Sequence, residues 1–131
     1  MIGRLITPAA VLAAAGLWGG ALYAETVVAP TITGIWLDQD RAGYIQIMAE
    51  ADDLWQGRIV GSVAGAVEDD VRNPDPALRS RSLLGQPILK QLRYKDDVWT
   101  GEIYNPRDGR TYSARLQMRG PDTLEVRGFI G

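Results

Sequence analysis

The sequence predicts an all-β protein, an antiparallel meander of about seven strands folded into a barrel or sandwich. Three observations predict it. Short runs that alternate apolar and polar residues recur along the chain, each closed by turn-forming residues. One stretch, Glu102 to Leu116, reads as a hairpin in full. The runs are mostly joined by short turns, the pattern of a meander, although Leu83-Leu84 and Ile88-Leu89 also permit a helix.

The hairpin is the clearest element. Pro106 sets φ for a right-handed turn, Asp108 can accept from nearby backbone, and Gly109 supplies a left-handed residue that closes the loop. Trp99, Gly101 and Ile103 share one face before the turn; Tyr112, Ala114, Leu116 and Met118 share it afterwards.

At 131 residues the chain suffices for a single core. Apolar residues make up 46% and charged ones 23%, a globular balance that argues against disorder. The net charge of −2 gives no basic footprint for nucleic acid or an anionic membrane. Cysteine and histidine are both absent. That excludes disulfides, a thiolate nucleophile, the commonest general base and the commonest zinc ligand. No metal site and no cofactor is expected.

The N-terminus reads as a targeting segment. Arg4 precedes an apolar Ala/Leu/Gly-rich run from Leu5 to Ala24, broken at Thr7-Pro8 and Gly16 and ending in small residues. Cleavage is expected after Ala24, with Ala21 and Ala29 as alternatives, making residues 1–24 a signal peptide, expected as an N-terminal helix, and 25–131 one β-barrel domain. A retained membrane anchor is the competing account, disfavoured because the run is weakly hydrophobic and has no positive flank after it. Removing Arg4 leaves 13 basic against 16 acidic residues, a net charge of −3. A periplasmic or secreted bacterial protein is expected, with no membrane attachment after cleavage.

The remaining chain reads in order as strands at Gly34–Leu37, Tyr44–Met48, Trp55–Val63, Ile88–Tyr94, Val98–Tyr104, Tyr112–Arg119 and Thr123–Ile130. Gly57 marks a bulge or a close contact. Between the third and fourth strands, Gly65 to Pro87 is long and non-repetitive. Pro74 and Pro76 bar an internal strand there, and Asp75 can cap a short helical turn begun by Pro76. A connection of this length among tight turns is the expected functional loop.

Several segments, taken in this order, carry a family resemblance: Gly34-Ile35-Trp36, Gly57-Arg58-Ile59-Val60, Asn73-Pro74-Asp75-Pro76-Ala77-Leu78-Arg79, Leu83-Leu84-Gly85, Ile88-Leu89, Ile103-Tyr104-Asn105-Pro106, Asp108-Gly109, Thr111-Tyr112-Ser113-Ala114 and Leu124-Glu125-Val126-Arg127-Gly128. Together they resemble an uncharacterised bacterial exported family, domain of unknown function (DUF) 2147. The resemblance implies a lipocalin-like (calycin-type) β-barrel and no particular activity. Two departures stand out. Family members often carry a cysteine pair around the turn that here reads Glu50 to Gln56, and they usually continue past Val126-Arg127-Gly128 into one more strand ending in a Trp-Thr-Arg-like run. The barrel is therefore expected to be incomplete, with an open edge or a truncated end preferred over a gap covered by a segment such as Thr26-Val27-Val28.

The site candidates each have a plainer account. Trp36, Trp99, Ile103, Tyr104, Tyr112 and Leu116 can line an apolar pocket or fill a small barrel solid. Core is favoured for Trp36, while Trp99 is balanced because Gly101 leaves space beside it. Tyr104 and Tyr112 can offer hydroxyls at one mouth, or pack across strands with those hydroxyls in water. In the long loop, Asn73, Asp75, Arg79 and Arg81 can hold a carboxylate or phosphate, or serve the backbone and solvent alone.

Carboxylate pairs such as Asp38/Asp40, Asp52/Asp53, Asp69/Asp70 and Asp96/Asp97 sit in turn contexts, so catalysis is not expected. The function expected is binding or carrying an apolar or amphipathic small molecule. The alternative is an envelope structural or interaction module that recruits a protein partner through its open C-terminal edge strand.

Overall fold

The computed structural model describes residues 2–7, 31–40 and 42–130. Eight antiparallel strands follow one another around a closed barrel. They are β1 (Ile2–Ile6), β2 (Gly34–Asp38), β3 (Gly43–Ala51), β4 (Leu54–Ser62), β5 (Pro87–Lys95), β6 (Val98–Asn105), β7 (Arg110–Met118) and β8 (Thr123–Phe129). The only helical element among the described residues is a 3-10 turn at Pro76–Leu78, where the Asp75 side chain accepts from the Ala77 amide.

Each of the seven expected strands is present, within about three residues at either end. The expected incompleteness is not. The edge of β8 is paired: Ile2 to Ile6 lies antiparallel to it over five positions, from Ile2 opposite Arg127 to Ile6 opposite Thr123. β1 also meets β2, with Leu5 opposite Asp38 and Ile6 opposite Leu37. Closure removes the edges an open sheet would leave, and the strand that closes it comes from the stretch read as the start of a targeting segment, where the expected helix is replaced at Ile2–Ile6 by a strand paired to β8. The rest of that stretch, and Thr26-Val27-Val28, lie outside the described residues. Among the described residues no helix is long and apolar enough to cross a membrane.

Alternation explains the core. On β7, Ala114 and Leu116 are buried and Arg115 between them is exposed; on β6, Trp99 and Ile103 are buried with exposed Thr100 and Glu102. These inward positions meet Leu5, Trp36, Ile47, Leu89, Leu92 and Leu124 in one cluster. Each fully buried leucine or isoleucine contributes roughly 1.5–3 kcal/mol.

Turn chemistry holds as the sequence suggested. Asp96 and Asp97 both take positive φ (53° and 68°) between β5 and β6, the conformation that matches a tight hairpin to strand twist. In the β6–β7 turn, Asn105 Oδ1 accepts from the Arg107 amide at 3.0 Å. Asp108 Oδ1 accepts from the Arg110 amide at 2.9 Å, and the Gly109 amide donates to the Asn105 carbonyl at 2.8 Å.

Two strand glycines are demanded by packing. At Gly57, a Cβ would lie 2.9 Å from Leu89 Cδ1, and the β4–β5 register shifts on both sides of it. Both expectations for Gly57, a bulge and a close contact, therefore hold. At Gly101, a Cβ would come within 2.5 Å of the Lys90 carbonyl oxygen and 2.8 Å of that of Gln91. The β5–β6 register is broken between Lys90 and Arg93, and Gln91 has φ 54°. The space beside Trp99 is filled by this bulging backbone.

Candidate functional site

The long connection folds back on the barrel. Its backbone is tied to β4 and to itself: Gly85 N to Ile59 O at 2.7 Å, Ile59 N to Gln86 O at 3.1 Å, Leu83 N to Glu68 O at 2.9 Å and Asp70 N to Arg81 O at 2.9 Å. At its centre sits Asp70, 2% exposed. A buried carboxylate is costly unless its oxygens are hydrogen-bonded. Here Oδ1 accepts from the Tyr104 hydroxyl at 2.7 Å and Oδ2 from Asn73 Nδ2 at 2.8 Å. Burial, and then the hydrogen bond and charge of Asp70, push the Tyr104 hydroxyl up to about 12.

The loop candidates separate by role. Asn73 is buried: besides bonding Asp70, its Oδ1 accepts from the Asp75 amide at 2.9 Å. Arg79 Nε donates to the Asn73 carbonyl at 2.8 Å, and the Asp75 carboxylate caps the 3-10 turn. These three residues hold the loop's shape. Arg81 is exposed.

Two voids share lining residues in this part of the barrel, and the larger is bordered by the loop. The larger, about 340 Å³, has a floor of Ile45, Ile59 and Ile88 with Leu83 from the loop. Gly43 and Gly61 border it on adjacent strands and project no side chain into it. Around the rim stand Asp38, Glu68, Asp69, Arg72 and Arg107. The smaller, about 50 Å³, is bordered by Gly3 and Leu5 of β1, by Val126, Ile103 and Tyr104, and by Asp38, Ile45 and Ile88 in common with the first. No ion pair joins any of the rim charges among the described residues; the one recorded is Arg119 with Glu125, at 3.2 Å on the surface.

Of the pocket candidates, Ile103 and Tyr104 border the smaller void. Trp36, Trp99 and Leu116 are 3%, 1% and 0% exposed in the solid core and border neither. The Trp36 indole donates to the Ile32 carbonyl at 2.9 Å. Trp99 packs edge-on to Trp55, ring centroids 6.3 Å apart, and against Tyr94 at 4.6 Å; its buried indole N–H has no partner among the described residues.

Tyr112 stands opposite Ile103 and Tyr104 opposite Thr111, so the two tyrosines take alternate faces of the hairpin and do not converge. The Tyr112 hydroxyl donates to Asp108, which holds that carboxyl below its usual range and raises the tyrosine. Sequence reasoning missed Ile45, Ile59, Gly61 and Leu83. Nothing in strand alternation distinguishes an inward isoleucine beneath a loop from one in a filled core.

Among the described residues no group of three or more acidic side chains is placed to hold a metal. What the arrangement offers is an apolar floor, a charged rim and a peptide roof.

A family model described as an uncharacterized protein conserved in bacteria (DUF2147) matches residues 34–131, from the first residue of β2 onward. The chain belongs to this family. The fold is also similar to a solved protein from the human pathogen Helicobacter pylori described as belonging to the lipocalin family. The two share 16% identity with a TM-score of 0.56, over 98% of this chain and 80% of the other. No curated protein matches the chain in sequence. The DUF2147 chain therefore has a lipocalin-like barrel, and β1 lies outside the family's matched span.

Proposed function

We propose that this DUF2147 protein is exported to the bacterial periplasm and there binds a small amphipathic molecule at the loop-covered end of its barrel. The observation that carries the reading is the 340 Å³ void with its isoleucine floor and its rim of carboxylates and arginines. That volume falls at the low end of small-molecule sites. An apolar tail of modest length would lie on Ile45, Ile59 and Ile88, and a polar head would remain at the rim. The similarity to a protein of the lipocalin family agrees with a binding role.

The test is a titration of the purified protein with a fluorescent medium-chain fatty acid, read by probe emission and by tryptophan emission. Saturable one-to-one binding is expected, and Ile59→Trp, which fills the floor, should weaken it at least about tenfold. Unchanged emission across the titration, or equal binding by the Ile59→Trp protein, removes the carrier reading.

A further inference from the structure

The charges around the larger void are not equivalent. Glu68, Asp69, Arg72 and Arg107 are exposed residues of the long connection and the β6–β7 turn. Asp38 alone belongs to a strand of the barrel wall, at the end of β2. It lies two positions past buried Trp36, opposite buried Leu5 of β1, and opposite Gly43, which is two positions before buried Ile45 on β3. Alternate residues of a strand, and residues opposite each other on neighbouring strands, share a face. Asp38 therefore faces the barrel interior. It is half-buried and borders both voids, as do Ile45 and Ile88. Its Oδ1 serves the turn, accepting from the Asp40 amide at 3.0 Å. Among the described residues its Oδ2 accepts no hydrogen bond, and neither oxygen joins an ion pair.

Two glycines keep space open beside this carboxylate. Gly43 borders the larger void, and Gly3, opposite buried Val126 on the inward face of β1, borders the smaller. Neither has positive φ. A Cβ on Gly43 would find its nearest neighbour, the Gly61 carbonyl oxygen, at 3.9 Å, and one on Gly3 would find Asp40 Oδ2 at 3.9 Å. Both are ordinary contacts, unlike those that exclude a side chain at Gly57 and Gly101. Neither backbone conformation nor packing requires glycine at these two positions. A glycine within a strand weakens it unless something must approach closely there, and here each leaves a bare wall next to Asp38.

We propose that Asp38 is the polar anchor of the ligand site and that the head group it receives is a protonated amine. The inference rests on the binding role proposed above and adds the charge of the head. The ammonium donates to Asp38 Oδ2 in the space beside Gly43, and a single apolar chain runs from it over Ile45, Ile59 and Ile88. A carboxylate facing a partly apolar cavity gains more from a charged donor than one in open water does. A carboxylate head at the same place would meet like charge. It would be left to Arg72 and Arg107, which are exposed, where an ion pair contributes little.

The experiment titrates the full chain calorimetrically, at neutral pH and low salt, with octylamine, octanol and octanoate. Octylamine is expected to bind one-to-one and at least about tenfold more tightly than either of the others. Asp38→Asn keeps an oxygen for the Asp40 amide and removes the charge, so it should abolish the preference for the amine while octanol binding stays unchanged. Gly43→Val should weaken octylamine binding at least about tenfold without lowering the thermal unfolding midpoint, since a Cβ has room there. Octylamine no tighter than octanol, a preference that survives Asp38→Asn, or full octylamine binding by the Gly43→Val chain overturns the proposal. Octanol and octanoate binding that Ile59→Trp removes, with no preference for the amine, would leave the carrier reading standing and end this one. Absence of binding by all three would end both.

Discussion

Gly109→Ala tests whether the hairpin turn and the long loop form one structural unit. Gly109 is buried with φ 71°, and a Cβ on it would fall 1.8 Å from the Arg72 carbonyl oxygen. Placing an L side chain in that conformation costs about 1–2 kcal/mol. Relieving the clash requires a further retreat of well over 1 Å, since heavy atoms rest at roughly 3.5 Å. Arg72 cannot retreat alone, because Asp70 two residues earlier is bound to Tyr104 and Arg81, and Asn73 beside it to Asp70. Losing the Tyr104–Asp70 bond leaves a buried carboxylate short of a donor, about 1–3 kcal/mol. The total is about 2–5 kcal/mol. Gly120→Ala is the control: φ is 139° but no heavy atom lies within 4 Å, so strain alone applies. Urea unfolding midpoints measure both, with limited proteolysis following the 63–86 segment. Equal losses in the two variants, or a loop no easier to cut in Gly109→Ala, would refute the reasoning.

Three further outcomes are expected. Gly101→Ala should destabilise by about 2–3 kcal/mol, because the obstructing atoms belong to the β5 backbone and cannot swing aside; a loss below about 0.5 kcal/mol in thermal unfolding would contradict the bulge packing. The Tyr104 hydroxyl, ordinarily near 10, stands at about 12 in the folded protein. The folded state therefore keeps a proton that the unfolded chain releases, so stability is unaffected below about pH 10 and falls as pH rises towards 12. With solvent screening of a partly exposed group the fall is about 1–2 kcal/mol, and Tyr104→Phe should abolish this component of the alkaline loss. At neutral pH that same substitution should cost about 1–3 kcal/mol, since the buried Asp70 carboxylate loses a hydrogen-bond donor; a neutral result in urea unfolding would show Asp70 to be satisfied otherwise.

The strands were legible because their period is local. Alternation and turn residues mark a half-buried strand whatever it pairs with, so β2 to β8 can be read residue by residue, and the Asp75 cap and the Asn105–Gly109 turn follow from chemistry confined to a few residues. The site was less legible. Asn73, Asp75 and Arg79 drew attention as a polar concentration, yet their partners are mostly one another and none of them borders the larger void, which is floored by Ile45, Ile59 and Ile88 from three strands. Gly101 looked like room for a ligand, and the room is taken by a neighbouring strand's bulge.

By itself, then, the sequence determined the all-β meander, its turns, the absence of thiol and imidazole chemistry and the family. The tertiary structure alone decided how the barrel closes, which aromatic residues fill it solid and where it stays hollow. The physical reason is that alternation states which side a residue faces but not what lies opposite. Closure by Ile2–Ile6, the contact of Arg72 with Gly109 and the burial of Asp70 beneath Tyr104 all join residues more than thirty positions apart.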